Sequence, residues 1–245
     1  MVVSYEELEH LQACVESIRR HTPGPHTLTV VDNGSGEPIR AYLRSLQDAR
    51  VLWNESNRGY ASACNQGAQA GNGEYVVFLN NDVEVTAGWL DALVRGMGSD
   101  PRIAVIGPKL LTPDGHIAFA GAGVMGTNRH HVARGTGLPD GPDVFAQPVD
   151  CLGLVGACFM IRRSLVPVLG WFDEGYFFYW EDMDYCLNAR LHGYRVVYWP
   201  ESRVVHHSSV STARVGSASA TWFQLGRQRF ESKWQHVLDD PTEYR

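Results

Sequence analysis

The segment from Tyr75 to Val85 reads YVVFLNNDVEV and joins an apolar run to two amides and a carboxylate. A continuous apolar run of this length is typical of a strand buried on both faces, as in a parallel sheet. Its polar end can be a turn, because Asn and Asp side chains bond nearby backbone groups. In an open α/β sheet, however, ligands bind beyond the carboxyl ends of the strands, where Asp82 is well placed to hold a divalent cation. The segment therefore predicts a buried strand that ends in a turn or a ligand site.

Strands and helices alternate around this segment throughout the first part of the chain. Predicted strands lie at residues 1–4, 28–31, 51–53, 75–79 and 103–106, and predicted helices at residues 6–20, 38–46, 60–70 and 88–97. This alternation favours a parallel, right-handed, doubly wound sheet whose strand ends share one edge. The first strand starts almost at residue 1, so we expect part of it to be missing.

The pattern changes after the strand at residues 103–106. Residues 108–147 are rich in Gly, Pro and His with weak periodicity, which predicts a long irregular stretch that is either a functional loop or disordered. Further predicted strands occupy residues 155–161, 195–198 and 203–205. Predicted helices occupy residues 164–169, 181–192 and 222–234, the second of them ended by Gly193.

Length and composition limit the class of protein. The 245 residues, 44% of them hydrophobic, suit one substantial core, so we expect a single domain. The formal charge of -6 is modest and spread along the chain, which argues against nucleic-acid binding and a polybasic membrane patch. No apolar run approaches the roughly 20 residues of a membrane span, and no signal-peptide pattern opens the chain. We therefore expect a cytoplasmic protein without a transmembrane segment.

The cysteines predict reduced core side chains rather than disulfides or a zinc site. There are five of them, none in a C-x-x-C pair, and most have apolar neighbours. They are Cys14, Cys64, Cys151, Cys158 and Cys186. No cluster of thiols and imidazoles has the spacing of zinc ligands.

Polar residues follow several predicted strands at the point where each strand ends. They are Ser4 and Tyr5, Asp32 and Asn33, and Asn80, Asn81 and Asp82. A parallel sheet would bring these residues to a single rim, although Asp32 taken alone is equally explained as a turn residue. Asn57, Gly59 and Asn65 lie in the turn and first face of the next helix, where they either donate to a bound base or phosphate or only start the helix.

An aromatic run precedes a group of acids in the second half of the chain. Residues 176–180 read YFFYW and lead directly to Glu181 and Asp182 at the start of a helix. Acids are favoured there by the helix dipole alone. The aromatic wall that ends at Trp180 would also exclude water from the two carboxylates, and a partly desolvated carboxylate is a plausible general base. His206 and His207 end a strand, so that only one imidazole faces inward, as a core residue or as a metal ligand.

Several motifs, taken together and in order, resemble those of the family 2 inverting glycosyltransferases. They are VVDNGS at residues 30–35, NRGY at 57–60 with ACNQG at 63–67, FLNND at 78–82, GAC at 156–158, GWFDE at 170–174 and WEDMD at 180–184. The resemblance covers nearly the whole chain and is closest to the rhamnosyltransferase-like and galactofuranosyltransferase-like branch. It implies an α/β fold of the GT-A type, with a nucleotide-sugar-binding half at residues 1–107 and an acceptor-binding and catalytic half at residues 108–245.

The resemblance also implies roles for individual residues. Asp182 would be the catalytic base with Glu181 beside it, and Asp82 and His206 would hold Mg²⁺ or Mn²⁺ under the diphosphate. The donor, a nucleoside diphosphate sugar, would be bound by Ser4, Tyr5, Asp32, Asn33, Asn57, Gly59, Asn65, Asn80 and Asn81. The acceptor, a glycan, a lipid-linked sugar or a small molecule, would meet Gly156 and Trp180. Asn80 replaces the first Asp of a D-x-D triplet and leaves the metal with fewer carboxylates.

Two rival functions follow from the same features. A non-catalytic nucleotide-sugar or carbohydrate-binding module would keep the fold without turnover, and Asn80 is compatible with it. A sugar nucleotidylyltransferase shares the architecture, but its Gly-rich phosphate loop is replaced here by residues 4–7, SYEE. A two-carboxylate hydrolase is disfavoured, because no separate acid for the leaving oxygen is evident.

Overall fold

The computed structural model describes residues 1–125, 130–207 and 217–238. Its strands are β1 Val2–Ser4, β2 Leu28–Asn33, β3 Ala49–Asn54, β4 Tyr75–Asn80, β5 Val83–Val85, β6 Ile103–Leu111, β7 Ile117–Phe119, β8 Ala122–Met125, β9 His130–Ala133, β10 Val149–Asp150, β11 Cys158–Arg162 and β12 Arg195–His206. Its helices are α1 Leu8–His21, α2 Glu37–Ser45, α3 Tyr60–Gln69, α4 Trp89–Ser99, α5 Val166–Leu169, α6 Glu181–Leu191 and α7 Ser217–Leu238, and a 3-10 turn spans Arg163–Leu165.

One large sheet organises the described residues. Its ten strands include the order β10-β12-β6-β11-β4-β1-β2-β3, with β5 paired to β12 and β7 to β6. Strands β3, β2, β1 and β4 are all parallel, which confirms the alternation predicted for the first part of the chain. The parallel register aligns Ser4 with Asp32, and Val3 with Asn80. The predicted polar strand ends therefore do lie along one edge.

Strand β11 joins this parallel half to the rest of the sheet. It lies between β4 and β6 and is antiparallel to both. Cys158 is opposite Leu79, and the amide of Asn80 donates to the carbonyl of Ala157 at 2.9 Å. The antiparallel direction means that the start of β11 meets the end of β4. Gly156 is thereby brought to the same edge of the sheet as the polar residues that follow β4.

The sheet is covered on both faces by two separate cores. Val2, Val30 and Leu79 pack on one face with α1, α2 and α4, whereas Val3, Val31 and Phe78 pack on the other with α3, α5 and α6. Because neighbouring residues of a strand point to opposite faces, a strand buried on both faces must be apolar throughout. This is the physical reason for the unbroken apolar runs in the sequence.

Two predictions for the second half of the chain were wrong in detail. Residues 108–147 are not one irregular loop: β6 extends to Leu111, β7 adds a strand to it, and β8 pairs with β9. Residues 126–129 of this stretch lie outside the described residues. The two strands expected at residues 195–198 and 203–205 form one strand, β12, with a register shift between Tyr198 and Arg203. Pairing with β6 resumes at Arg203 after this irregular stretch, so tertiary contacts join the two segments into one strand.

A buried charge cluster holds the segment after β7 in place. Lys109 is 1% exposed, and its Nζ donates to Asp140 Oδ1 at 2.8 Å and to the carbonyl of Val144 at 2.6 Å. Arg203 also pairs with Asp140. A buried ammonium without a partner would be very costly, so these bonds tie the segment to β6 and β12. The hydrophobic periodicity of the sequence does not predict these long-range contacts.

No helix in the described part of the chain is long and apolar enough to cross a membrane.

Gly59 is a position where the fold depends on the absence of a side chain. Its φ is 85°, and a Cβ there would lie 2.7 Å from the carbonyl oxygen of Phe177. Gly88 is a matched control, because its φ is 74° but a Cβ would meet nothing within 4 Å. We expect Gly88→Ala to cost about 1 kcal/mol in the free energy of unfolding, and Gly59→Ala to cost roughly 1–3 kcal/mol more. Urea denaturation of both variants checks this, and equal losses would contradict it.

Candidate active site

A cavity of about 590 Å³ opens at the carboxyl ends of β1, β2 and β4. This volume lies within the usual range for small-molecule sites. Most of the predicted site residues line it, namely Tyr5, Asn33, Asn57, Asn80, Asn81, Asp82, Gly156, Trp180, Glu181, Asp182 and His206. Residues from distant parts of the sequence therefore meet around one space, as the convergence of polar strand ends predicts.

Four predicted site residues do not line this cavity, and Asp32 is the most informative of them. Asp32 is fully buried, and its Oδ1 accepts a hydrogen bond from the Ser35 amide at 3.0 Å. Its Oδ2 pairs with Arg40 Nε at 3.0 Å, and the same guanidinium donates to the carbonyl of Asn54. Asp32 thus fastens the loop after β2 to α2 and β3, which is the turn role that its sequence context left open.

The other three lie behind the cavity wall. Ser4 is fully buried on β1, and Gly59 forms the close contact with Phe177 described above. Asn65 braces a distant loop: its Nδ2 donates to the Phe172 carbonyl and to Glu174, both at 2.9 Å, and its Oδ1 accepts from the Phe172 amide at 3.0 Å. The motif around residues 170–174 is explained by this contact with α3.

A network of amide side chains forms the part of the rim next to β2. Asn33 Nδ2 donates to Asn57 Oδ1 at 3.0 Å, and Asn33 Oδ1 accepts from Asn54 Nδ2 at 3.1 Å and from the Arg58 amide at 3.0 Å. The Gly59 amide donates to Asn57 Oδ1 at 2.9 Å. A satisfied network of this kind holds its members rigidly, so the turn before α3 presents a fixed polar surface to the cavity.

Asp82 and His206 meet where β4 ends and β12 ends. His206 Nε2 lies 3.3 Å from Asp82 Oδ1, and both side chains are largely buried, with exposures of 15% and 7%. His207 points elsewhere and contacts Glu84 Oε1 through Nε2 at 2.7 Å. The alternation of side chains along a strand separates the two imidazoles, and of the two only His206 lines the cavity.

The polar atoms around Asp82 fit a divalent cation. Within the described residues, Asn80 Oδ1 is a buried oxygen with no hydrogen-bond partner, and Asp82 Oδ1 has no hydrogen-bond partner besides its contact with His206. No set of three or more His, Cys, Asp or Glu side chains there has metal-binding geometry. Mg²⁺ and similar ions commonly take one or two protein ligands and complete their shell with water and substrate phosphates. The donor set of Asp82 and His206, with Asn80 nearby, suits that mode of binding.

Glu181 and Asp182 begin α6 as adjacent buried carboxyl groups with different surroundings. Asp182 Oδ2 accepts from the Gly156 amide and Oδ1 from the Met183 amide, both at 2.7 Å. Glu181 Oε2 has no hydrogen-bond partner among the described residues. Burial raises the pKa of both groups, most strongly for Glu181, whose pKa is raised further by the charge of Asp182.

The two backbone donors lower the pKa of Asp182 against the effect of burial. Two neighbouring carboxylates in a desolvated site resist ionising together. Asp182, which receives two backbone hydrogen bonds, is therefore the member of the pair whose ionised form is better supported by its surroundings. The two adjacent acids thus differ in how strongly their surroundings oppose a negative charge.

Aromatic residues form the opposite wall of the cavity. Tyr179 and Trp180 both have positive φ, 73° and 74°, which is unfavourable for side chains of this size. Strained backbone of this kind persists only where the surrounding structure enforces it. Here α7 packs on the strained pair: Phe223 contacts both rings, and Phe230 contacts Trp180.

Helix α7 is a part of the site that the sequence interpretation missed. The residues 222–234 were predicted to be helical, but no site role was assigned to Trp222 and Phe223, which line the cavity. Phe223 is 40% exposed, and this exposed ring would indicate a site role for the helix only once the folded structure is known. The hairpin residues Ala122 and Ala133 and the neighbouring Phe119 were likewise missed as lining residues.

Asp184 fastens α7 to α6. This carboxylate is 4% exposed and accepts from Trp234 Nε1 at 2.8 Å, Lys233 Nζ at 2.9 Å and the Tyr176 hydroxyl at 3.0 Å. The last acid of the WEDMD motif therefore has a structural task, whereas the two acids before it face the cavity.

Comparison with known proteins identifies the chain's family. The model of Glycosyl transferase family 2 matches residues 1–170. The chain belongs to this family. It is 30% identical over 239 residues to N-acetylglucosaminyl-diphospho-decaprenol L-rhamnosyltransferase of Mycobacterium tuberculosis strain H37Rv, a match that covers 87% of this chain and 77% of the relative. It is 32% identical over 216 residues to O-antigen biosynthesis protein RfbC of Myxococcus xanthus, covering 82% of this chain but 16% of that protein.

Solved glycosyltransferase structures share the fold. The structure of GalNAc-T7 with UDP, GalNAc and Mn²⁺ superposes with a TM-score of 0.69 at 21% identity, covering 84% of this chain and 42% of the other. Mannosyltransferase PcManGT of Pyrobaculum calidifontis, in complex with GDP-Man and Mn²⁺, gives 0.58 at 18% identity, covering 84% and 55%. The predicted family, its rhamnosyltransferase-like branch and the GT-A fold are thus confirmed.

The buried state of Glu181 has a consequence for stability that can be measured. The folded protein resists ionisation of Glu181, whose pKa is raised above 4.5, whereas the unfolded chain ionises it freely. Stability is therefore lost as pH rises from about 4.5 through the raised pKa. We expect Glu181→Gln, which cannot ionise, to become more stable than wild type by more than about 1 kcal/mol at pH 8 but not at pH 4.

Denaturant unfolding between pH 4 and pH 8 measures this difference. Glu55→Gln is the control, because Glu55 is exposed and should follow wild type at every pH. A constant difference between Glu181→Gln and wild type over this range would show that Glu181 is not held in its neutral form.

Proposed function

We propose that this glycosyltransferase moves one sugar from a nucleoside diphosphate donor to an acceptor hydroxyl with inversion at the anomeric carbon. The observation that carries the proposal is the single cavity that Asp182 shares with Asp82 and His206. One step of in-line displacement needs a base on the acceptor side and neutralisation of charge on the leaving diphosphate. The lining of the cavity supplies both: Asp182 as the base, and Asp82 and His206 as ligands for a cation.

The proposed reaction is a direct displacement. The acceptor oxygen attacks the anomeric carbon while the bond from that carbon to the diphosphate oxygen breaks. Asp182 accepts the acceptor's proton, and the electron pair of the broken bond leaves on the diphosphate. Each Asp182 oxygen already accepts one backbone hydrogen bond but has a second lone pair, so a substrate hydroxyl can still bind to it. Glu181, holding its proton, keeps a second negative charge out of the site.

The described lining of the cavity carries acids without a basic side chain. Among the residues that the structure describes, it includes Asp82, Glu181 and Asp182 but neither Lys nor Arg. A diphosphate would therefore meet carboxylates without a basic partner from the lining residues. Mg²⁺ or Mn²⁺ held by Asp82 and His206 would act as a Lewis acid toward the diphosphate oxygens. The Mn²⁺ in the two related structures supports the same choice of ion.

We assign donor binding to residues 1–107 and acceptor binding and catalysis to residues 108–245. The rigid amides Asn33 and Asn57, together with Tyr5, Asn80 and Asn81, line the donor side. The aromatic wall from Phe177 to Trp180 and the rings on α7 line the acceptor side, where they suit a sugar face or the first part of a lipid. Rhamnosyl transfer to a lipid-linked or glycan acceptor is the activity that the names of the relatives support.

A cytoplasmic location is part of the proposal. All five cysteines are buried as free thiols, which suits a reducing compartment.

The general base gives the direct test of catalysis. Asp182→Asn keeps the size of the side chain but cannot accept a proton, so we expect kcat to fall at least about a hundredfold while donor affinity changes little. Glu181→Gln should lose less, because it replaces a neutral acid with a neutral amide. Sugar transfer from a panel of nucleotide sugars measures kcat, and calorimetry measures donor binding. If Asp182→Asn transferred sugar at the wild-type rate and Glu181→Gln were inactive, Glu181 rather than Asp182 would be the base.

The same panel separates the enzyme from a binding module of the same fold. A nucleotide sugar at 100 times its dissociation constant should stabilise the protein by about 2.7 kcal/mol. Stabilisation without transfer to any glycan or lipid-linked acceptor would favour the module. A retained anomeric configuration in the product would contradict the displacement mechanism.

The two adjacent histidines give a matched test of the cation site. His206 lies beside Asp82 and lines the cavity, whereas His207 pairs with Glu84 outside it. We expect His206→Ala to raise the Mn²⁺ concentration needed for nucleoside diphosphate binding by roughly tenfold or more, and His207→Ala to leave it near wild type. Calorimetric titrations at a series of Mn²⁺ concentrations measure both. Equal effects of the two substitutions on the Mn²⁺ requirement would contradict a role for His206 in cation binding.

A further inference from the structure

Tyr60 is the first residue of α3, and its phenol contacts the loop that carries Gly156. Its hydroxyl donates to the Gly156 carbonyl at 2.7 Å, and the Gly156 amide donates to Asp182 Oδ2 at the same distance. The side chain of Tyr60 is 8% exposed. A chain of two short hydrogen bonds therefore runs from α3 through a single glycine to the carboxylate at the start of α6.

The backbone of Tyr60 is fixed as firmly as its ring. Its amide donates to the Phe177 carbonyl at 2.6 Å, and its ring meets Phe178 edge-on at a centroid distance of 6.0 Å. Burial raises the pKa of the Tyr60 phenol well above 10, so the hydroxyl keeps its proton and remains a donor. Tyr60 is thus held rigidly between the aromatic wall and Gly156.

Within the described residues, the Tyr60 hydroxyl is the hydrogen-bond donor that holds the Gly156 carbonyl. The next residue, Ala157, is fixed by the Asn80 amide, but Gly156 itself has the backbone freedom of any glycine. A rotation of Gly156 would turn its amide away from Asp182. The Tyr60 hydroxyl opposes this rotation from the opposite side of the residue.

We propose that Tyr60 is a positioning residue for the base: its hydroxyl orients Gly156 so that the Gly156 amide holds Asp182 toward the acceptor side of the cavity. This inference rests on the proposed function, because it assumes that Asp182 is the base. Tyr60 acts through Gly156 and takes no part in proton transfer. Small displacements of a catalytic group cost rate rather than ground-state binding.

The loss of the amide contact also changes the titration of Asp182. In the described part of the chain, the titratable groups that face Asp182 are Glu181 and Cys186 on α6, and Tyr60 and Cys64 on α3, and no cation is among them. The Gly156 amide favours the ionised carboxylate. When that amide is misaligned, ionisation requires a higher pH, so the rising limb of the pH profile for kcat should move to higher pH.

The test compares Tyr60→Phe with Tyr185→Phe. Each substitution removes one buried hydroxyl, but Tyr185 is 2% exposed on α6 and its hydroxyl has no hydrogen-bond partner among the described residues. We expect Tyr60→Phe to lower kcat roughly tenfold with little change in the KM for the donor, and to shift the rising limb to higher pH. Tyr185→Phe should match wild type in kcat, in the KM for the donor and in the pH of the rising limb.

An NMR measurement tests the contact without any enzymatic assay. The amide proton of Gly156 should resonate far downfield in the wild type because it is bonded to a carboxylate, and it should move upfield in Tyr60→Phe and in Asp182→Asn but not in Tyr185→Phe. If Tyr60→Phe does not fold, a nuclear Overhauser contact between the slowly exchanging Tyr60 hydroxyl proton and Gly156 in the wild type decides the matter.

The two readouts separate the failure of this inference from the failure of the proposed function. If the wild type transfers no sugar, the proposed function fails, and the amide resonance still reports whether Tyr60 orients Gly156. A Tyr60→Phe variant that matches Tyr185→Phe in either kcat or the Gly156 resonance overturns the inference, as does an absent Overhauser contact in the wild type.

Discussion

The antiparallel strand β11 is the constraint on which the rest of the structure depends. It is inserted between β4 and β6, and it alone connects the parallel strands β1 to β4 with the carboxyl-terminal strands along the order of the main sheet. Its direction brings the start of one strand to the end of another, so that Gly156 lies at the edge where Asn80 and Asp82 follow β4. If β11 ran parallel to β4, Gly156 would lie at the opposite edge of the sheet, and Asp182 would lose one of its two backbone donors.

The site uses environment to give similar side chains different properties. Glu181 and Asp182 are adjacent, acidic and buried, yet only Asp182 receives two backbone hydrogen bonds. The difference in donors favours the ionised form of Asp182 over that of Glu181, because burial opposes ionisation of both. The same reasoning applies to His206 and His207, whose alternate directions on one strand send one imidazole to the cavity and the other to Glu84.

The aromatic wall of the cavity is assembled by tertiary contacts rather than by local preference. Tyr179 and Trp180 adopt a backbone conformation that costs free energy, and the packing of α7 holds them there. Asp184 receives donors from both Lys233 and Trp234 of that helix, which fixes the position of the helix. Burial of the aromatic rings against α7 offsets the backbone strain at the mouth of the site.

The sequence by itself determined the alternation of strands and helices, the polar rim and the family. Strands buried on both faces must be apolar throughout, and several motifs in order are specific to one family, so the local signals were strong. It also indicated Asp82, Asp182 and His206, which the structure places around one cavity. Only the tertiary structure decided that Asp32 forms an ion pair with Arg40, that residues 108–147 contain strands, and that the Tyr60 hydroxyl donates to the Gly156 carbonyl. These features depend on hydrogen bonds and packing between residues far apart in the chain, and such contacts leave no periodicity or composition from which they can be predicted.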